Sequence, residues 1–90
     1  MTDKEISRIW FNQDFVPGAK FRLNDSVKII DGDLNGKYGA VISLLELEPE
    51  PLYLIELLED PVGDYHIKES SLELYWSCKS EQPEPEFKTI

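Results

Sequence analysis

The sequence predicts one all-β domain, a small five-stranded barrel with a short N-terminal helix or turn and a disordered C-terminal tail. Three observations carry this prediction. A chain of 90 residues is long enough for one domain with a modest core. Apolar and polar residues alternate along several short segments, as they do in half-buried strands. Glycine- and proline-containing turns separate these segments too often for a helical fold.

Residues 1–18 are predicted to form the helix or turn that precedes the barrel. Thr2 and Glu5 have the spacing of a capping box, which marks the start of a helix. Three apolar residues then fall on one helical face, and these are Ile6, Ile9 and Trp10. Because an isolated helix of this length is marginal in water, we expect it to dock on the barrel.

The predicted barrel spans residues 19–76. Residues 19–23 are either a short strand or an extended lead-in, and a 3₁₀ turn is expected at 69–71 before the last strand. The expected strands are 26–30, 39–47, 52–58, 64–68 and 72–76. Their inward-facing residues are predicted to include Val27, Ile29, Val41, Leu45, Ile55, Ile67 and Leu74.

The tail, residues 77–90, is rich in Pro, Glu, Ser and Lys, and it includes the run Pro83-Glu84-Pro85-Glu86. Such a composition buries too little apolar surface to offset the entropy of ordering the chain. We therefore expect a disordered arm, or one that becomes ordered on a partner.

Charge is distributed unevenly along the chain. The formal net charge is −9, and residues 46–90 carry all of it, with twelve carboxylates against three bases. An acidic field attracts a basic protein and accelerates its association, and it repels nucleic acid, whose affinity depends on Lys and Arg. A second interpretation stays open, in which the excess acid only keeps a small protein soluble.

Residues 25–45 resemble the KOW motif of ribosomal proteins and transcription elongation factors. The matching residues are Asp25-Ser26-Val27-Lys28-Ile29-Ile30-Asp31-Gly32, followed by Gly36-Lys37-Tyr38-Gly39-Ala40-Val41-Ile42-Ser43. The resemblance implies an SH3-like barrel. Gly32 and Gly36 would allow a compact loop, and Gly39 would let the second strand begin in close contact with the first.

The nucleic-acid function of the motif is not carried over to this chain. RNA-binding members have Lys and Arg around the loop, where this chain has Asp31, Asp33, Leu34 and Asn35 and keeps only Lys37. A KOW-type module associated with RNA, the ribosome or transcription is therefore the alternative prediction. A basic stripe on the surface would favour it, formed by Lys20, Arg22, Lys28 and Lys37.

The chain also resembles small SH3-like immunity proteins, which inactivate a bacterial toxin made by the same cell. The resemblance rests on the loop described above, on Tyr53-Leu54-Ile55 and on Ile67-Lys68-Glu69-Ser70-Ser71-Leu72-Glu73. It implies a protein inhibitor that binds a toxin. A looser resemblance to the small photosystem I reaction-centre subunit of the same barrel class leaves a further alternative, a small accessory subunit of a larger complex.

The sequence therefore predicts a non-catalytic protein-binding module with a basic partner. The candidate binding residues lie in or beside two acidic loops and at the last strand, and they are Glu48, Glu50, Glu59, Asp60, Asp64, Tyr65 and Trp76. Tryptophan is enriched at the hot spots of interfaces, although core packing is its other common role. A monomer or a weak homo-oligomer is expected, with no membrane association.

No catalytic, metal or cofactor site is predicted. His66 is the one histidine and Cys78 the one cysteine, so the sequence lacks a zinc ligand set and a nucleophile with an activating base. The glycines fit the turn rather than a phosphate-binding loop. A charged N-terminus without a long apolar segment, together with a single cysteine, predicts a cytoplasmic protein.

Overall fold

The computed structural model describes residues 1–81 of the chain. Its elements, in chain order, are α1 (Asp3–Phe11), β1 (Ser26–Ile29), β2 (Tyr38–Glu46), β3 (Leu52–Leu57), β4 (Gly63–Lys68), a 3₁₀ helix (Glu69–Ser71) and β5 (Leu72–Trp76). The expected strands and the 3₁₀ turn are confirmed, with ends that differ by at most one residue. Residues 19–23 contain no strand and form the lead-in.

Helix α1 begins at the predicted capping site. The Thr2 hydroxyl accepts the Glu5 backbone N–H at 3.2 Å, which satisfies one of the N–H groups that the first helical turn leaves without a partner. Trp10 is buried, and the two isoleucines of the predicted apolar face are half-buried against the core. The Trp10 ring stacks on Tyr53 of β3 at a centroid distance of 6.3 Å, so the helix docks on the sheet as expected.

The strands form one antiparallel sheet in the order β4-β3-β2-β1-β5. The long strand β2 joins the two halves of the sheet, because its first residues pair with β1 and its later residues pair with β3. β4 and β5 are the outer strands, and no ladder joins them within residues 1–81, so the sheet is open there. The all-β class with a short N-terminal helix is confirmed, and closure into an SH3-like barrel stays a prediction.

The core lies between α1, the lead-in and the inner face of the sheet. Its buried apolar residues are Trp10, Val16, Phe21, Val27, Ile29, Val41, Tyr53, Ile55, Leu57 and Leu72. Four of the predicted inward residues belong to this set, and they are Val27, Ile29, Val41 and Ile55. Ile67 is half-buried and packs against the same core.

The prediction that Leu45 faces the core is wrong. Leu45 is 39% exposed because β2 is irregular, and its register against β3 shifts between Val41 and Ser43 and again between Leu44 and Glu46. An extra residue in a strand reverses the alternation of side chains that follows it. Leu44 therefore packs on the core in place of Leu45.

The prediction that Leu74 faces the core is also wrong. Leu74 pairs with the buried Val27, yet it is 52% exposed, whereas Leu72 on the same strand is 6% exposed. β5 is an outer strand, and the described elements that bury Leu72 do not extend over Leu74. Alternation predicts the side of a strand but not whether another element covers that side.

A buried carboxylate fixes the entry to β1 and the exit from β5. Asp25 is 1% exposed, and its two oxygens accept the backbone N–H groups of Arg22 at 2.7 Å and of Cys78 at 2.8 Å. The Arg22 guanidinium lies 3.9 Å from the same carboxylate and donates to the Ser77 hydroxyl at 2.6 Å. It also lies over the Phe15 ring, 4.2 Å from its centroid. These contacts tie the lead-in to the segment that follows the last strand.

The tail begins with residues that are held in place, although we expected disorder from Ser77 onward. Ser77 and Cys78 make the contacts with Arg22 and Asp25, which the sequence does not reveal because the partners are far apart in the chain. Lys79 and Ser80 donate their backbone N–H groups to Ser77, and the part of the prediction that concerns residues 82–90 lies outside the described residues.

Candidate protein-binding surface

Three glycines follow β1, and two of them have the conformation that the sequence predicts. Gly32 and Gly36 have φ values of +76° and +93°, which favour glycine and let the loop turn compactly. Gly39 lies opposite Val27 in the β1–β2 ladder, so the second strand begins against the first as expected. It also approaches β3 closely, because a Cβ there would lie 2.6 Å from Ile55 Cγ2 and 2.8 Å from the Glu56 carbonyl oxygen.

The two acidic loops singled out in the sequence lie at opposite ends of β3. Glu48 and Glu50 precede this strand, whereas Glu59 and Asp60 follow it. The strand separates the loops by roughly 20 Å, since each residue of a strand adds about 3.3 Å. The structure therefore does not bring the predicted binding residues together into one surface.

The end of the sheet that follows β3 collects acidic residues from two loops. Asp31 and Asp33 lie in the β1–β2 loop, and Glu59 and Asp60 lie in the β3–β4 loop, and we call these four residues the acidic end. A depression of about 340 Å³ lies between the β1–β2 loop and β4, because it is lined by both aspartates and by Tyr65 of β4. The Tyr65 hydroxyl in turn donates at 2.9 Å to a carbonyl of the β3–β4 loop.

Apolar side chains accompany the charges of the acidic end. All four carboxylates are exposed or half-exposed, while Leu58 and Val62 of the β3–β4 loop are 75% and 66% exposed. Asp64 lies opposite Glu56 in the β3–β4 ladder, which extends the negative charge along the outer face. Lys37 is the base that these two loops contribute. Exposed acids beside exposed apolar side chains form a surface that suits a basic protein.

Two carboxylates at the other end of β3, Glu50 and Glu69, bind within the molecule, whereas Glu48 is exposed. Glu50 accepts the backbone N–H and the hydroxyl of Ser70 at 3.2 and 3.1 Å. One oxygen of Glu69 accepts the Tyr53 hydroxyl at 2.7 Å and the Lys20 backbone N–H at 2.9 Å. Burial, followed by the bond to Glu69, raises the pKa of Tyr53. These contacts hold the 3₁₀ helix in place, so we assign Glu50 a structural role.

Trp76 lies apart from both acidic loops. It ends β5 and pairs with Ser26 at the beginning of β1, where it is half-buried. Trp10 is the tryptophan that the core buries. Of the predicted binding residues, the structure thus brings together Glu59, Asp60, Asp64 and Tyr65.

Arg22 interrupts the basic stripe that would favour nucleic-acid binding. Its side chain is 15% exposed and is engaged with Asp25. Lys28 lies with its Nζ 6.0 Å from the centroid of the Tyr38 ring, which packs on Tyr75 at 4.6 Å. This pair of aromatic rings beside one lysine is the feature that suits a nucleic-acid base.

His66 and Cys78 are the two residues considered from the sequence as a metal ligand and as a nucleophile. His66 is exposed on β4, opposite Leu54 of β3. Burial, followed by the neighbouring Asp25, raises the pKa of the Cys78 thiol, which disfavours the thiolate form that a nucleophile needs. Within residues 1–81, no group of three or more His, Cys, Asp or Glu side chains is placed to hold a metal ion. In the same range no helix has the length and apolar character of a membrane span.

Comparison with known proteins finds no family model and no curated protein that matches this chain. Function is therefore inferred from the surface itself.

The sequence indicates Asp31 and Asp33 only as departures from a motif, because many residues separate them from Glu59 and Asp60. The order of the strands shows that the pair Asp31 and Asp33 lies at the same end of the sheet as the pair Glu59 and Asp60. When antiparallel strands that follow one another in the chain are neighbours, their connecting loops alternate between the two ends of the sheet.

Proposed function

We propose that this chain is a non-catalytic protein-binding module whose acidic end binds a basic protein. The observation that carries the proposal is that four carboxylates from two loops, Asp31, Asp33, Glu59 and Asp60, lie at the same end of the sheet. Within residues 1–81, these four side chains accept no internal hydrogen bond of the kind that occupies Glu50, so they are available to a partner.

The charges and the apolar side chains of this surface have separate roles. Exposed carboxylates increase the rate of encounter with a basic partner and contribute less to the final affinity. Leu58 and Val62 supply affinity, because full burial of each side chain by a partner would contribute about 2 kcal/mol. Together these features favour a specific complex over adhesion through charge alone.

The narrower form of the proposal is an immunity protein that inhibits a bacterial toxin. The sequence resemblance described above supports it, and the acidic end fits it, because a toxin that binds phosphate carries Lys and Arg at its active site. An inhibitor that presents carboxylates to such a site acts by covering it and needs no catalytic group of its own.

Capture of partners from the native host tests the proposal. The baits are the wild-type chain, the double variant Glu59→Lys/Asp60→Lys at the acidic end, and the control Glu46→Lys/Glu48→Lys at the opposite end of β3. Both variants change the net charge equally, and each alters one residue that precedes a proline.

We expect a basic protein that the wild-type chain and the control retain and that the acidic-end variant loses. Equal losses from the two variants would show that only net charge matters. Recovery of ribosomal or polymerase components without a separate basic target would replace the proposal with the KOW-type alternative.

The KOW-type alternative is a second candidate function, and the Tyr38–Tyr75 pair beside Lys28 favours it. A fluorescence titration with a single-stranded RNA oligonucleotide at physiological salt separates the two candidates. The main proposal predicts no binding in the submicromolar range, because the surface field is negative. Submicromolar binding that Tyr75→Ala abolishes would establish the alternative.

A further inference from the structure

We propose that the outer edge of β4 accepts an extended, basic segment of the partner as an added strand. This inference rests on the proposed function, because it specifies how a basic partner would bind beside the acidic end. Three features of the structure support it: a strand edge without proline or a bulge, an apolar depression beside that edge, and acidic residues around the depression.

β4 presents a regular edge to its surroundings. Its six residues pair with β3 in continuous register, from Gly63 opposite Leu57 to Lys68 opposite Leu52, without a bulge. Among the described residues, no strand pairs with the other side of β4, so roughly 20 Å of backbone N–H and C=O groups face outward.

Two of the devices that protect outer strands from added strands are missing from β4, although its exposed residues include Asp64 and Lys68. The strand contains no proline, and its ladder with β3 is uninterrupted. By contrast, β5, the other outer strand, has an irregular register against β1 at Ser26 and Val27. The two edges of the sheet therefore differ, and β4 has the geometry that strand addition requires.

The apolar depression of about 340 Å³ lies beside the inner face of this strand. Tyr65 and Ile67 of β4 line it together with Ile29 and Leu34. Tyr65 and Ile67 point inward but are only half-buried, whereas the inward residues of β3 are fully buried. The core is thus incompletely covered next to β4, and an added strand would place every second side chain over this gap.

The residues around the depression define the chemistry of the added strand. An apolar side chain fits against Ile29, Leu34 and Ile67. The next inward side chain, two positions along the strand, lies near Asp31 and Asp33, which select Lys or Arg. A second copy of this chain is disfavoured as the occupant, because each copy carries a net charge of −9.

An NMR titration of the full-length, ¹⁵N-labelled chain tests this mode of binding. The probe is the capped synthetic peptide Thr-Val-Thr-Lys-Thr-Val-Thr, in which the valines and the lysine share one face of a strand. Two further peptides carry backbone N-methyl groups, one on the threonines and the other on the valines and the lysine. Each methylated peptide keeps its side chains but blocks one edge of the peptide strand.

We expect the unmodified peptide to shift the amide signals of residues 63–68 and 31–34 in a saturable manner. One methylated peptide should bind at least tenfold more weakly, and the other should retain binding within about threefold, because strand addition uses one edge of the peptide. Asp31→Asn/Asp33→Asn should weaken binding by up to about fivefold per charge. The matched control Glu46→Gln/Glu48→Gln should leave binding unchanged.

Equal binding of both methylated peptides would overturn strand addition, and it would leave the acidic end as a binding surface that uses side chains only. Absence of shifts in residues 63–68 would also overturn it. Concentration-dependent shifts of these residues without peptide would assign the edge to a second copy of the chain. Failure of the proposed function is recognised separately, when the acidic-end variant captures the same host proteins as the wild-type chain.

Discussion

Replacing Gly39 with alanine tests the packing that sets the beginning of β2 against the end of β3. The added Cβ would lie 2.6 Å from Ile55 Cγ2, 2.8 Å from the Glu56 carbonyl oxygen and 2.9 Å from Leu57 Cδ2. Ile55 and Leu57 are fully buried, and the contact with Glu56 is to the backbone, so none of the three can move aside into solvent. Overpacking of a core costs about 1–3 kcal/mol, and we expect about 3 kcal/mol here because the backbone itself must shift.

Urea unfolding followed by tryptophan fluorescence measures this change, with Gly36→Ala as the matched control. A Cβ at Gly36 meets nothing within 4 Å, so that variant experiences only the unfavourable positive φ, at a cost of about 1 kcal/mol. The difference between the two variants reports the close contact with β3. If Gly39→Ala were no less stable than Gly36→Ala, the proposed packing of β2 on β3 would be refuted.

Three further predictions concern stability. Asp25→Asn should lower the free energy of unfolding by about 2–3 kcal/mol, because an amide nitrogen then faces a backbone N–H. The control Asp14→Asn should lower it by less than about 1 kcal/mol. Urea unfolding that finds equal losses for the two variants would contradict the buried role of Asp25. Because the pKa of Tyr53 is raised in the folded protein, its contribution to the free energy of unfolding is complete below about pH 10 and declines as the pH rises further. Urea unfolding of the wild-type chain between about pH 9 and 11 should therefore show a loss of stability that the Tyr53→Phe variant lacks. An identical loss in both proteins would argue against this assignment. Leu72→Ala should cost about 2–4 kcal/mol and Leu74→Ala less than about 1 kcal/mol in thermal melts, and the reverse order would show that the core is placed wrongly.

The local features of the fold could be predicted from the sequence because each depends on neighbouring residues. Period-two alternation identifies the strands, and the Thr2–Glu5 spacing marks the start of α1. The exposure of Leu45 could not be predicted, because the bulges in β2 form only through pairing with β3. The exposure of Leu74 depends likewise on what covers an outer strand, which alternation does not specify.

The candidate site could be predicted only in part. The acidity of the β3–β4 loop is visible in the sequence, and so is the presence of an acidic loop before β3. Strand order separates these two acidic loops along β3 and puts the β1–β2 loop at the same end of the sheet as the β3–β4 loop, and a single sequence does not display that order. Glu50 illustrates the same limit, since its bonds to Ser70 link residues that lie on different elements.

Association kinetics with the captured partner test the central claim, that the acidic end binds a basic protein, most directly. The association rate constant of the wild-type chain should fall at least about tenfold between about 50 mM and 500 mM salt, because screening shortens the reach of its charges. Glu59→Lys/Asp60→Lys should associate slowly at low salt with little further salt dependence, and Glu46→Lys/Glu48→Lys should keep most of the wild-type rate. A wild-type rate that does not depend on salt, or an equal loss in both variants, would contradict the claim.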